Sequence, residues 1–310
     1  MRQARYPSTS SRICGATASQ RAAFFDIIAR FFNSPIFTAQ GPIMHPMVQF
    51  ALRALRGASE QLNRVRDRLD IARETQSQDA LLVDTARYIE ENIARQFAKG
   101  YPLHGISGRY LPFKEGSGEG ADYHWKIELF HGYQNLAINA NGCALSLVCM
   151  FKGRAEHAVV LSPFTDDEYL ASRGRGAHYN DKRMRVSGHI TEDEVRLAMG
   201  VPEMHVRSRY FPDYLSVLQR IGVQSSVVRT LGCPVLELAE FASGRVDAAF
   251  VFGIEEQDLA IAQLMLKEAG ALIGTPSGQP QVDPDGALMA ANPRLYKQLV
   301  KLVKPSLVNA

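Results

Sequence analysis

The chain offers its chemistry in three places. The stretch WKIELFHGYQNLA (125–137) reads as a strand, Trp125 to Phe130, running into a turn at Gly132. Backbone amides and side chains commonly converge on a ligand at such a junction, and this one gathers Glu128, His131, Tyr133 and Gln134. Asp258 stands near the start of a helix beginning around Glu256, where free backbone N–H groups favour a negative charge, so helix capping explains it as readily as catalysis does. Ser107 in GISGR resembles the serine of a nucleophile elbow, but Arg109 occupies the position where that strained turn takes glycine, which makes Ser107 a poor nucleophile candidate.

Other strings fall short of a site. GSGEGA (116–121) fits G-x-G-x-x-G/A, yet it precedes a strand and no helix follows it, so it is expected to be a loop and not a dinucleotide cradle. SRGRGAHYN offers Gly174 and Gly176 with two arginines to a phosphate, and a tight loop between strands explains it equally well. The sequence has no G-x-x-x-x-G-K, and its eight histidines form no H-x-H or H-x-x-x-H pair. Cys14, Cys143, Cys149 and Cys233 lack C-x-x-C spacing, which argues against a dedicated zinc site or a disulfide framework and for a reducing compartment.

The elements that must position these residues follow from periodicity. Met47, Ala51, Leu55, Ala58, Leu62, Val65 and Leu69 step by three and four, one apolar stripe on a long helix. Leu82, Ala86, Ile89, Ile93 and Phe97 predict a second helix, with Gly100 as its C-terminal cap. WKIELF, CALSLVCMF and EHAVVL then read as strands, with a hairpin at Gly153. From about residue 188 strands and helices alternate: VRLAMG, FPDYLSVLQRIG, SSVVRTL, VLELAEFASG, DAAFVFG, EQDLAIAQLMLKEAG, ALMAA and NPRLYKQLVKLV, the last with Asn292 as N-cap. The domain reading is therefore an extension, 1–43, and one domain, 44–310, made of a helix-plus-antiparallel-sheet half (44–187) and an α/β half (188–310).

At 310 residues, 46% hydrophobic and 22% charged, the composition is that of an ordinary globular protein. No apolar run reaches the roughly 18–20 residues that cross a bilayer. Of the net charge of +3, residues 1–43 carry +4 and the remainder −1, so the body is not basic enough to suggest nucleic-acid binding. The Arg- and Ser-rich extension reads as an organelle transit peptide, as an amphipathic tail that contacts a partner, or as a start placed too early. The abrupt onset of helical pattern at MHPMVQFALRALR favours the third, with Met44 as the start.

Taken together, MHPM (44–47), EGSGEGADYHW (115–125), FKGRAEHAVVL (151–161), ASRGRGAHYNDKRMRVSG (171–188), LELAEFASGRVDAAF (236–250), QDLAIAQLMLKEAGA (257–271) and AANPRLYK (290–297) resemble, in order and spacing, the inositol monophosphatase family and its bacterial SuhB-type branch. The resemblance implies an α/β (α+β) fold layered α-β-α-β-α, a homodimer, and hydrolysis of phosphate monoesters such as inositol 1-phosphate with magnesium. Against the family's G-E-E element this chain has Gly108, Arg109 and Tyr110, so a metal-ligating glutamate has become a cation. Against D-P-hydrophobic-D-G-T-T-N it has Glu128, Leu129, Phe130, His131, Gly132, Tyr133, Gln134 and Asn135. Glu128 keeps a carboxylate, Phe130 can offer its carbonyl, and His131 replaces the second aspartate. Tyr133 replaces the water-orienting threonine.

Asp258 matches the aspartate of the family's W-D pair. A further family aspartate falls at Thr85, and the glutamate that touches the substrate ring falls near Val251. The resemblance thus leaves Glu128, the Phe130 carbonyl and Asp258 to hold any magnesium. Arg109, Tyr133 and Gln134 stand at vestigial catalytic positions, and Gly132, Asn135 and Val251 at vestigial substrate positions. Arg109 is expected to pair with Glu128 and Asp258 and to take the place of the metal.

Three readings follow. A degenerate, metal-free cytoplasmic member would act through its surface as a regulator or scaffold, in the setting of transcription antitermination and ribosomal RNA synthesis that the SuhB-type branch implies. An active phosphatase would keep a looser magnesium site. A changed metal would use Glu128, His131 and Asp258, a donor set better suited to manganese or zinc.

Overall fold

The computed structural model describes residues 44–308, so the extension 1–43 and its three readings lie outside the described residues. Two long helices open the chain. In α1 (Pro46–Glu74) the His45 side chain accepts from the Met47 N–H and Pro46 takes the first turn, where its missing N–H costs nothing. The stripe Met47, Ala51, Leu55, Ala58, Leu62 and Leu69 is buried as the period predicts. In α2 (Gln78–Gly100) the buried face is Leu82, Ala86, Ile89, Ile93 and Phe97. Gly100 is the last helical residue and Tyr101 the cap, which corrects the capping role expected of the glycine. A Cβ at Gly100 would lie 2.5 Å from the Phe50 ring, so any larger residue there would force that ring of α1 to shift.

Seven strands follow in one sheet whose spatial order is the sequence order: β1 (Gly105–Ser107), β2 (Tyr123–His131), β3 (Ala144–Phe151), β4 (Arg154–Ser162), β5 (Asp167–Ser172), β6 (Gly176–Tyr179) and β7 (Lys182–Arg183). Only β1–β2 is parallel; the others are antiparallel neighbours, with the β3–β4 turn made by Gly153 at φ +75°. The short helix α3 (Tyr133–Ala137) interrupts β2 and β3. The second half contributes β8 (Arg196–Met199), α4 (Arg207–Ile221), β9 (Val227–Arg229), α5 (Pro234–Ala242), β10 (Ala248–Ile254), α6 (Glu256–Ala269), β11 (Leu272–Gly274), β12 (Gly286–Ala291) and α7 (Pro293–Val303). Their strands form a five-stranded sheet in the order β11-β12-β10-β8-β9. Asn292 caps α7 as expected, its side chain accepting from the Arg294 and Leu295 N–H groups.

Three apolar cores mark an α/β sandwich of five layers. One lies between α1, α2 and the large sheet, around Trp125, Ile127, Leu145 and Leu147. A second fills the space between the two sheets through α5 and α6, and a third lies between the small sheet and α4 and α7. The alternation of β2 explains the orientation of the site: Trp125, Ile127 and Leu129 point to the helices, while Lys126 and Glu128 point to the other face. The glycine-bearing SRGRGAHYN is the β5–β6 turn. The Glu268 carboxylate at the end of α6 accepts from the Gly174 N–H at 2.7 Å and the Gly176 N–H at 2.8 Å, so a side chain already occupies the amides that a phosphate would need.

Candidate functional site

The end of β2 and the beginning of α6 meet at one cavity. A bulge shifts the β2–β3 register between Glu128 and His131 and holds Phe130 at φ +65°, a left-handed conformation that costs a non-glycine residue on the order of 1 kcal/mol or more. The distortion turns His131 into the protein, where it is 7% exposed. Gly132 follows at φ +72°, and a Cβ there would lie 2.3 Å from the Gly142 carbonyl, so the turn accepts only glycine. The Asn135 amide then donates to the carbonyls of Gly142 and Leu231, both at 2.7 Å, and ties the turn to the start of α5.

The cavity, of about 400 Å³, brings together Arg109, Glu128, Phe130, His131, Gly132, Tyr133, Gln134 and Asp258, residues some 150 positions apart in the chain. Asn135 stands behind its wall and Val251 does not reach it. Val251 is 2% exposed within the core on β10, so the substrate-facing place expected of it is apolar packing. Thr85 turns away too, donating to its own helix at the Leu81 carbonyl. Three carboxylates that the sequence reading did not single out line the cavity as well: Glu90, Glu203 and Glu255.

The ion pair in this cavity is not the expected one. Arg109 is exposed and, among the described residues, makes no ion pair; its guanidinium lies 5.9 Å from the Tyr110 ring. His131 pairs with Asp258 instead, Nδ1 to Oδ1 at 2.9 Å, while its Nε2 faces the Ser146 hydroxyl at 2.8 Å. Asp258 Oδ1 has no other polar partner among the described residues, so this contact is its compensation for burial. Burial alone would hold the imidazole below its ordinary pKa. The Asp258 charge and contact, with Glu128 and Glu255 behind them, outweigh that cost and raise it. A doubly protonated ring also suits two oxygen neighbours. The basic group that meets Asp258 is therefore histidine, and Arg109 stays at the rim.

The other groups follow from the same balance of burial and charge. Burial pushes the Glu128 carboxyl upward, His131 opposes that shift, and Asp258 and Glu255 reinforce it. Burial likewise raises Glu203, with Glu255 adding repulsion. Glu90, also raised by burial, accepts from the backbone N–H of Arg109 at 3.0 Å and of Tyr110 at 2.7 Å, anchoring the Gly108–Tyr110 loop to α2. The Tyr133 phenol donates to Asp79, and burial followed by that carboxylate pushes its pKa up to about 12. A phenol so engaged does not take the place of a free hydroxyl that orients water.

These donors do not fit a magnesium site. A hard divalent ion needs several convergent oxygens. Here Asp258 Oδ1 lies against the His131 imidazole, and no group of three or more His, Cys, Asp or Glu among the described residues is disposed to hold a metal. The Glu128–His131–Asp258 set fits manganese or zinc no better, because both His131 nitrogens already face protein oxygens. Five carboxyl groups, those of Glu90, Glu128, Glu203, Glu255 and Asp258, share the cavity with Arg109 and His131.

Five alternating layers with a carboxylate-lined pocket where β2 meets α6 define a phosphatase-type sandwich. Residues 43–307 match the model of the inositol monophosphatase family, and the chain belongs to that family. It is 38% identical to the "Nus factor SuhB" of Pseudomonas aeruginosa over 266 residues, 85% of this chain and 98% of that protein. It is 29% identical to the "Nus factor SuhB" of Escherichia coli, covering 86% of this chain and 99% of that one. Among solved structures it resembles the extragenic suppressor protein SuhB of Bartonella henselae, with a TM-score of 0.69 at 23% identity over 84% of this chain and 100% of that chain. It also resembles the inositol monophosphatase of Anabaena, with a TM-score of 0.69 at 20% identity over 84% of this chain and 96% of that chain.

Proposed function

We propose that this chain is a catalytically degenerate, SuhB-like member of its family that acts as a cytoplasmic regulatory or scaffold protein, as a homodimer built on the 44–310 domain, in association with the transcription antitermination machinery. The observation that carries the reading is the His131–Asp258 pair: a basic side chain of the protein stands against the aspartate that the family gives to a metal. Relatives named as Nus factors support the setting. The bare outer strand β9, with Val227 43% and Val228 40% exposed, supports contact with a second copy.

The test is calorimetry with magnesium and turnover of inositol 1-phosphate by the purified chain. A flat titration at millimolar metal and no phosphate release are expected. Magnesium binding, with turnover abolished by Asp258→Asn, would refute the reading and establish the second one, an active magnesium-dependent inositol-1-monophosphatase. What favours that second reading is Glu128, whose carboxylate faces the cavity beside Phe130 without an ion-pair partner among the described residues.

A further inference from the structure

The face of β1 and β2 that carries Glu128 also carries a serine–histidine pair that the cavity does not use. Parallel pairing sets Gly105 beside His124 and Ser107 beside Lys126, so these side chains share the face opposite Ile106 and Trp125, which are buried against the helices. Ser107 Oγ and His124 Nε2 are 2.7 Å apart. The imidazole is held on both sides. A Cβ at position 105 would lie 2.6 Å from its Nδ1, so glycine lets the ring rest on the backbone, and the Phe113 ring stacks on it at 4.9 Å and 25°.

Burial, and after it the Lys126 charge, keep His124 below its ordinary pKa, so the ring is a neutral base at neutral pH. On its other side Ser107 lines a cavity of about 420 Å³ with Arg109, Lys126, Glu128, Glu255 and Gln257. Arg109 and Lys126 make no ion pair among the described residues. Two cations therefore line the same cavity as Ser107, alongside the carboxyl groups of Glu128 and Glu255.

We propose that Ser107 and His124 form the nucleophile and general base of an acyl-transfer site whose substrate is a small carboxylic ester bound in this cavity. His124 Nε2 takes the hydroxyl proton as Ser107 Oγ bonds to the ester carbonyl carbon, and the oxyanion so formed faces Arg109 and Lys126. Collapse breaks the bond to the leaving alcohol, which receives the proton from His124. Water, giving a proton to His124, then adds to the acyl-serine. The second collapse releases the carboxylic acid and returns the proton to Ser107. The sandwich of Gly105 and Phe113 does the orienting that a third acid performs in a triad. Arg109, which disqualifies GISGR as an elbow, becomes here an electrostatic asset.

The test uses the full chain with a fluorophosphonate probe and with p-nitrophenyl acetate. The probe is expected to modify the peptide containing Ser107, and the ester to give a p-nitrophenol burst of about one equivalent of protein, as acyl-enzyme accumulation requires. S107A should abolish both, and H124Q should slow the burst by about 10²–10⁴-fold, the usual worth of a general base. If S107A does not fold, S107C replaces it: it should lose the fluorophosphonate adduct and gain an iodoacetamide-reactive thiol that H124Q suppresses. No adduct on Ser107, a burst that survives in folded S107A, or an S107C thiol that resists iodoacetamide, would overturn the proposal.

Discussion

Replacing His131 by leucine removes the cation from a carboxylate that cannot reach water. The two side chains are 3% and 9% exposed, the charge pair spans 2.9 Å, and the Ser146 hydroxyl loses its partner at the same time. Removing one member of a buried pair costs roughly 3–5 kcal/mol, and a domain of this size loses about 2–4 °C of Tm per kcal/mol, so H131L should melt about 10 °C lower. The effect also has a pH signature. The His131 pKa is raised in the folded state, so its stabilisation is fully present below the unfolded value near 6.5 and is lost as pH rises through the folded one. Urea unfolding of wild type and H131L at pH 6 and pH 9 should show a gap that narrows at the higher pH. The double variant H131L/D258L should recover most of the lost stability, because two apolar groups leave no charge unpaired. An equal gap at both pH values, or a loss below about 1 kcal/mol, would refute a buried imidazolium–carboxylate pair.

Restoring the family's carboxylates should restore its metal. The triple variant R109E/E128D/H131D is expected to bind magnesium in calorimetry where the wild type gives a flat trace. Glu90→Gln weakens two charge-assisted bonds to the Arg109–Tyr110 backbone and should lower stability by about 1–3 kcal/mol, read as a shift of the urea midpoint. Asn292→Ala removes the cap of α7 and should cost about 1 kcal/mol in the same assay. Burial pushes the Cys143 thiol up to about 12 and raises Cys149 and Cys233 as well, so a disulfide-exchange reagent at pH 8 should reach these three thiols only after unfolding.

Much of the fold was legible because periodicity reports burial. The α1 and α2 stripes, the β3–β4 hairpin and the Asn292 cap all appear where the pattern puts them, since each is decided within a few residues. Gly100 was misread because its reason lies across the helix pair, in the Phe50 ring, and no local spacing encodes that contact. The candidate cavity was legible through resemblance as a gathering of Glu128, His131 and Asp258, but which cation would meet which acid was not. That outcome depends on the bulge that turns His131 inward, a three-dimensional event that leaves Arg109 at the rim. Glu90 did leave a signal, an acid four residues after Ala86 and three before Ile93, on the buried stripe itself. The paired acids Glu255 and Glu256 just ahead of Asp258 were a second. Glu203 left none, because it reaches the cavity from a loop.

Helix α6 is held at both ends by acid side chains. Near its start Asp258 grips His131 of β2, and near its end Glu268 grips the amides of the β5–β6 turn. The helix is thus riveted across the large sheet, from one early strand to two late ones, while its opposite flank packs toward the small sheet. A metalloenzyme must leave the first of those rivets open to admit its ion and release its product. In this chain the His131–Asp258 contact closes that rivet, so α6 braces the large sheet from β2 to the β5–β6 turn.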